Sequence, residues 1–152
     1  MNIEAKLKAM GYDFTSAVLG QGKIEPAVRT GNLVFTSGQV SRRGDETYIG
    51  KVGADLTVEQ GYAAARLCAL NCLSAIKAIV GDLDQVTRVI KVLGMVNAAD
   101  GFTDTPAVIH GCTDLLNELF GAAGRHARSA VGLYQLPQNV AVEIEMIVEV
   151  KD

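Results

Sequence analysis

Arg128 and Glu143 are the residues of this chain best suited to chemistry on a small molecule. Both lie in the C-terminal run RHARSAVGLYQLPQNVAVEIEMIVEV, Arg125 to Val150. Val140, Val142, Ile144, Met146, Val148 and Val150 fall on one face of a strand, because strand side chains alternate with period two. Ala141, Glu143, Glu145, Ile147 and Glu149 fall on the other. Arg128 sits in the preceding apolar run, joined to this one by Leu136-Pro137-Gln138-Asn139. Two runs so connected are expected to pair antiparallel. A guanidinium and a carboxylate would then face one pocket. The guanidinium can grip a carboxylate through two parallel hydrogen bonds, and the glutamate can pass protons. The residues alone also allow plainer roles. Arg128 could be a structural partner of a strand carboxylate, and Glu143 could line a solvated edge. His126, two residues before Arg128, would share its face and could tune the pocket near neutral pH, or it could be a surface or interface histidine. His110 falls off the apolar stripe of its helix and reads as surface. Tyr134 and Gln135 could rim a cleft.

Other chemistries find little support. The net charge is -3 and the isoelectric point is near 5.4. The densest basic spot, Arg42-Arg43, is followed at once by Asp45 and Glu46. No nucleic-acid partner is expected, because such binding needs a clustered positive surface. Phosphate loops, dinucleotide fingerprints, metal-spaced His/Cys clusters and nucleophile elbows are absent from the sequence. Gly20-Gln21-Gly22-Lys23 lacks the spacing of a phosphate loop and reads as a turn. Cys68 and Cys72 stand at i and i+4, but no His, Asp or Glu lies nearby in sequence to complete a metal site. With Cys112 they are read as small buried hydrophobes. No cofactor is expected. The N-terminal segment MNIEAKLKAMGYDF lacks the apolar stretch of a signal peptide. The longest apolar candidate for a membrane span, Gly61 to Val80, contains Arg66, Asn71 and Lys77. The expectation is a cytoplasmic protein with no membrane partner.

The elements that must position these residues follow from spacing. The 152 residues fit one domain, large enough to bury roughly 68–70% of its unfolded surface. Ile3, Leu7 and Met10 predict a short amphipathic helix, with Glu4, Lys6 and Lys8 on its wetter side. Ala27 to Thr30 and Leu33 to Ser37 predict a hairpin turning at Gly31-Asn32. Gly38 and Gly44 bracket a loop, and Thr47 to Ile49 is a weak strand. Thr57 and Gln60 form a capping-box pattern that opens a helix to about Val80. Its buried stripe is Val58, Tyr62, Ala65, Ala69, Cys72, Ile76 and Val80. Val86 to Val96 is a strand apolar on both faces. Thr105 is expected to cap a second helix, with Pro106 at its first position. Ile109, Cys112, Leu116 and Leu119 form its stripe, and Gly121 or Gly124 stops it. Ala127 to Leu133 and Val140 to Val150 close the chain as strands. Helical crossovers demand parallel pairing and hairpins antiparallel, so the sheet is mixed. Two helices can cover one face. The other would still carry Val89, Leu93 and Met95, or their neighbours Ile90 and Val92. A second copy is the simplest cover.

Two segments then carry a resemblance. TGNLVFTSGQV (Thr30 to Val40) and ARSAVGLYQLPQNVAVEIEMIVEV (Ala127 to Val150) resemble the Rid family, the reactive-intermediate deaminases also called the YjgF family. The middle fits as well: a long helix ending in AIVGDLDQVTRVIKV, then a helix after FTDTP. The resemblance implies a chorismate-mutase-like α+β fold, a mixed β-sheet with two long helices packed on one face, assembled as a homotrimer with sites in clefts between subunits. It implies cofactor-free hydrolysis of reactive enamines and imines to 2-keto acids and ammonia. Some members are named endoribonucleases or translation inhibitors, and others have no known activity, so a non-catalytic binder of small carboxylates is the alternative. Carried over residue by residue, the substrate-carboxylate arginine falls on Arg128 and the water-handling carboxylate on Glu143. The pocket-lining strand matches Thr36, Ser37, Gly38 and Gln39, and His126 would add to the substrate site. The chain departs from the pattern twice. A cysteine of typical deaminases is Ala130 here, and a tyrosine that projects into the cleft aligns on Ile24.

Overall fold

The structure, a computed structural model, describes residues 2–12, 14 and 22–152. Gly20 and Gln21 of the expected N-terminal turn lie outside the described residues. Helix α1 spans Ile3–Ala9, capped by the Asn2 side chain, which accepts from Ala5 N. Its buried residues are Ile3 and Leu7, as the spacing requires. Glu4 pairs with Lys77 at 2.7 Å and Lys6 Nζ donates to Leu119 O, so part of the wetter side is tied to the body. Strands β1 (Ala27–Thr30) and β2 (Leu33–Thr36) form the expected hairpin. Three short strands follow: β3 (Gln39–Val40), β4 (Arg42–Arg43) and β5 (Glu46–Thr47). Gly44, expected to end a loop, instead makes the turn between β4 and β5, with φ of 59°.

Helix α2 runs Val58–Val80 and opens on the predicted capping box of Thr57 and Gln60. It is long and apolar enough to span a bilayer by length and composition. Here it is a core helix: Leu67, Cys68, Leu70, Leu73 and Ala75 are all buried beyond the stripe read from spacing. The stripe widens because α2 packs against the sheet and against the next helix together. Strand β6 spans Val86–Asn97, helix α3 Thr105–Phe120, β7 Ala127–Leu133 and β8 Val142–Val150. Asp104, not Thr105, is the N-cap of α3. Thr105 is its first residue and Pro106 lies in the first turn. Gly121 ends it with φ of 58°.

The main sheet has the order β1-β2-β8-β6-β7, with β3 also on β8. β6 and β7 are parallel, joined through α3, and the other pairs are antiparallel. One expectation fails here. β7 and β8 do not pair with each other, because β6 lies between them. The turn residues between them are real turn residues, and Gln138 and Asn139 both adopt positive φ. The connection nevertheless crosses the end of β6 instead of closing a hairpin. Buried Asn97, at that end, holds the crossing. Its Nδ2 donates to Asn139 Oδ1, Val140 O and Gly50 O at 3.0–3.3 Å.

The helices cover one face of the sheet, over Val34, Val92, Val96, Ile144, Met146 and Val148. Val89 is buried there too, which corrects its placement beside Leu93 and Met95. A register shift between Val89 and Lys91 inserts one extra residue in β6. Such a bulge reverses face parity, so Val89 and Val92 point the same way. The three cysteines are all buried. Burial pushes the Cys72 thiol up to about 12, which leaves it un-ionised. The face away from the helices keeps Val28, Phe35 and Val131 exposed.

The two helices approach at Gly111, where an added Cβ would collide with the carbonyl oxygen of Tyr62. That oxygen is backbone and cannot swing aside, so the helices would have to separate. Gly111→Ala should therefore destabilise the fold by roughly 1–3 kcal/mol or more. Thermal unfolding should show this as a melting temperature several degrees lower; an unchanged melting temperature would mean that the contact is not tight.

Candidate functional site

Register decides where the candidate residues go. Arg128 pairs with Val92, and Glu143 pairs with Met95. No register shift separates Val92 from Met95, so three residues of alternation place them on opposite faces. Val92 is fully buried under the helices. Arg128 therefore lies on the helix face at the β7 edge, and Glu143 lies on the face away from the helices. The expected single pocket holding both groups does not form within one chain. The candidate residues make two separate clusters.

The first cluster surrounds Glu143. Val40 and Gln39 of β3 pair with Glu143 and Ile144. The glutamate side chain then lies against Gly38, where an added Cβ would collide with its Oε2. Gly38 has no positive φ, so the absence of a side chain is what matters there. Glu143 is half-buried and has no hydrogen-bond partner among the described residues. Burial, and then the charge of Glu145, raises its carboxyl above the ordinary value of 4.5. Both effects disfavour the charged form, which is the condition for a carboxyl that exchanges protons closer to neutral pH. Ser37 is occupied otherwise. Its hydroxyl donates to Glu25 O at 2.6 Å and its N–H to Pro26 O at 2.8 Å. It thus fixes the chain segment entering β1. Gln39 Nε2 donates to Ser37 O at 3.4 Å. Thr36 turns into the core, where its hydroxyl accepts from Met146 N.

The second cluster surrounds Arg128. Its Nη1 donates to His110 Nδ1 at 2.9 Å and to Thr113 Oγ1 at 3.2 Å. His126 stands beside them, hydrogen-bonded to Thr113 and to Gly124 O. These residues, with Asn117 and Arg125, line a cavity of about 280 Å³. His126 and Arg128 do share a pocket, as spacing predicts. His110 is exposed, as expected of a surface histidine, but it is also a direct partner of Arg128. Sequence reading missed it together with Thr113. The signal was there: three residues apart, the two share one side of α3. It becomes legible only once β7 is known to run parallel to β6 under that helix.

Further along the same edge, Ala98, Phe102, Thr105, Gly132, Leu133 and Tyr134 line a groove of about 450 Å³. Tyr134 and Ile24 are both strongly exposed, at 75% and 70%. Among the described residues no cluster of three His, Cys, Asp or Glu could hold a metal ion.

Known proteins match this arrangement over nearly its whole length. Protein TCP17 of Trypanosoma cruzi is 39% identical across 99% of this chain and 95% of its own. A crystal structure of an Agrobacterium tumefaciens protein of unknown function is 40% identical, with a TM-score of 0.90, covering 98% of this chain and 93% of that one. Escherichia coli TdcF, crystallised with bound serine, is 25% identical with a TM-score of 0.56, covering 91% of this chain and 94% of its own. The family model described as "YjgF/chorismate mutase-like, putative endoribonuclease" matches residues 4–150. With its mixed sheet backed by two long helices, and with that match, this chain belongs to the YjgF family.

Proposed function

We propose that this protein hydrolyses reactive enamine or imine intermediates to 2-keto acids and ammonia without a cofactor, at sites completed by a second copy of the chain. The observation that carries this reading is Glu143: half-buried, unpaired, raised in pKa and seated against the bare backbone of Gly38. A carboxyl with these properties suits an acid/base and has no evident structural task. As carboxylate it takes a proton from water while the oxygen bonds to the C=N carbon. As acid it returns that proton to the nitrogen of the carbinolamine; the C–N bond breaks, ammonia leaves, and the hydroxyl proton passes to the freed carboxylate as the carbonyl forms. Arg128 would hold the substrate carboxylate. Bound serine in TdcF supports a small carboxylate ligand of this kind.

Arg128 and Glu143 lie on opposite faces, so one chain cannot bring them to the same substrate. A homotrimer with clefts between subunits would join the Arg128 edge of one copy to the Glu143 face of the next. The uncovered face favours such an assembly. It carries Val28, Phe35 and Val131 exposed and Leu93, Met95 and Ile147 half-buried, and a contiguous apolar patch of this kind marks an interaction surface. One observation favours the second reading, a non-catalytic binder of small carboxylates. Ala130 and Ile24 supply no polar group where deaminases have cysteine and tyrosine. An endoribonuclease reading fits the net charge of -3 poorly.

Light scattering at micromolar concentration should give about three times the chain mass of 16.1 kDa; a monomer would remove the basis for a shared site. Arg128→Ala should keep the fold and weaken 2-keto acid binding by roughly 2–4 kcal/mol. Unchanged affinity would discard the anchor role. In an assay that generates the imine in situ with an amino-acid oxidase, Glu143→Gln should lower turnover about 10²–10⁴-fold with little change in ligand affinity. Gly38→Ala should show a comparable loss with near-normal stability, since its Cβ displaces only the Glu143 carboxyl. Turnover within a few-fold of wild type in both variants would leave Glu143 as a pocket wall. No turnover of any imine by wild type would favour the binder.

A further inference from the structure

The hydrogen bonds that hold Arg128 have directions that can be worked out from both ends. A guanidinium only donates. His110 Nδ1, 2.9 Å from Arg128 Nη1, is therefore a bare acceptor, and the neutral ring carries its proton on Nε2. His126 is arranged the other way. Its Nδ1 lies 2.6 Å from the Gly124 carbonyl, which only accepts, so Nδ1 carries the proton and Nε2 is bare. Thr113 Oγ1 is 3.2 Å from that bare nitrogen and 3.2 Å from Arg128 Nη1. Its hydroxyl donates to His126 and accepts from Arg128. The chain of donors runs from Arg128 through Thr113 to His126 and ends on the Gly124 carbonyl.

We infer that His110 and His126, the second acting through Thr113, form a clamp that positions the Arg128 guanidinium and loosens when acid protonates His126. The functional consequence rests on the reading of Arg128 as the ligand anchor. Both clamp bonds fall on Nη1, and the structure records none on Nε or Nη2 among the described residues. That Nε–Nη2 edge is the side of the guanidinium which takes a carboxylate in two parallel bonds. The clamp thus aims the binding edge without occupying it.

The surroundings of His126 disfavour its protonated form. Arg125 and Arg128 line the same cavity as the two imidazoles. The acids next along α3 are turned toward α2: Asp114 accepts from Tyr62 Oη at 2.6 Å, and Glu118 pairs with Arg66 at 3.3 Å. Burial, joined by the Arg128 charge, holds His126 below its ordinary value of 6.5, against the opposing pull of the Gly124 carbonyl. The sign follows. With a folded value below the unfolded one, the stabilisation from this residue is complete above 6.5 and is lost as pH falls below it. Protonating His126 would turn its Nε2 into a second donor on Thr113 Oγ1 and place a second cation beside Arg128. The His126 end of the clamp is closed above pH 6.5 and loosens as the pH falls below it.

The chain has two histidines, so imidazole ¹⁵N spectra of the full-length protein without ligand test the clamp directly. At pH 7.5 one ring should be the Nε2–H tautomer and the other Nδ1–H, and His110→Asn should remove the first. Two rings in the same tautomer would overturn the inference. The consequence is read with 2-ketobutyrate as probe. Wild-type affinity should fall roughly tenfold between pH 8 and pH 5.5. His110→Asn keeps an acceptor at the Nδ1 position, so its affinity should lie between those of wild type and His110→Phe. His110→Phe should bind several-fold more weakly at both pH values. Equal affinity of wild type and His110→Phe would overturn a role for His110, and an affinity independent of pH would overturn release through His126. If the tautomers are as expected and the probe fails to bind at any pH, the clamp stands and the anchor reading of Arg128 falls.

Discussion

The position of β6 between β8 and β7 is the constraint on which the rest depends. Each neighbour is registered to it residue by residue: Val92 with Arg128, and Met95 with Glu143. Because strand side chains alternate, that register sends the guanidinium to the helix side and the carboxyl to the other. A one-residue slip of β7 would turn Arg128 away from α3 and bury nothing in its place. The parallel pairing of β6 and β7 exists because α3 carries the chain back over the sheet. The same helix supplies His110 and Thr113, so the element that creates the register also holds the arginine.

The unequal covering of the sheet separates structural from chemical duties. The helix face is closed by α2 and α3 and contains the three cysteines and nearly all of the large buried aliphatic residues. Close approach at Gly111 and at Gly94, where Ile109 takes the space of a side chain, keeps that layer thin. The opposite face mixes exposed apolar residues with Lys91, Ser129, Glu143 and Glu145, and has a cavity of about 260 Å³ over Phe35, Lys91, Leu93, Ser129, Glu145 and Ile147. Lys91 Nζ donates to Ser129 Oγ there at 3.2 Å. A surface of this composition is suited to contact with another copy of the chain, in keeping with a shared site.

The ends of the strands are held by polar contacts. Asn97 bridges the segment at Gly50 and the turn at Asn139–Val140, while Lys51 Nζ donates to Asn97 Oδ1 at 2.8 Å and to Tyr134 O. This fixes where the chain leaves β7 and where it enters β8. Polar groups buried at such a crossing must be satisfied or they cost more than they contribute. Among the described residues none is left without a partner. The rigidity passes to both clusters, since Arg128 lies on β7 and Glu143 near the start of β8.

The sequence by itself determined every main element, the mixed character of the sheet, its two-helix cover and the family. These are local properties. Thr57 and Gln60 can only reach one another in a capping box, the β8 alternation has one solution, and the run from Arg128 to Glu143 is dense in matching residues. It also pointed to Arg128 and Glu143 by residue type, to His126 by its spacing from Arg128, and to Gly38 through the family resemblance. Only the tertiary structure decided which strands are neighbours. A short turn after β7 suggested a hairpin, yet strand order is a non-local choice set by where β6 can bury its apolar faces. The bulge at Val89–Lys91 was equally invisible, since an added residue leaves no mark in a strand apolar on both sides. For the same reason His110 read as surface: its partner is 18 residues away and meets it only after the chain has returned through a parallel strand.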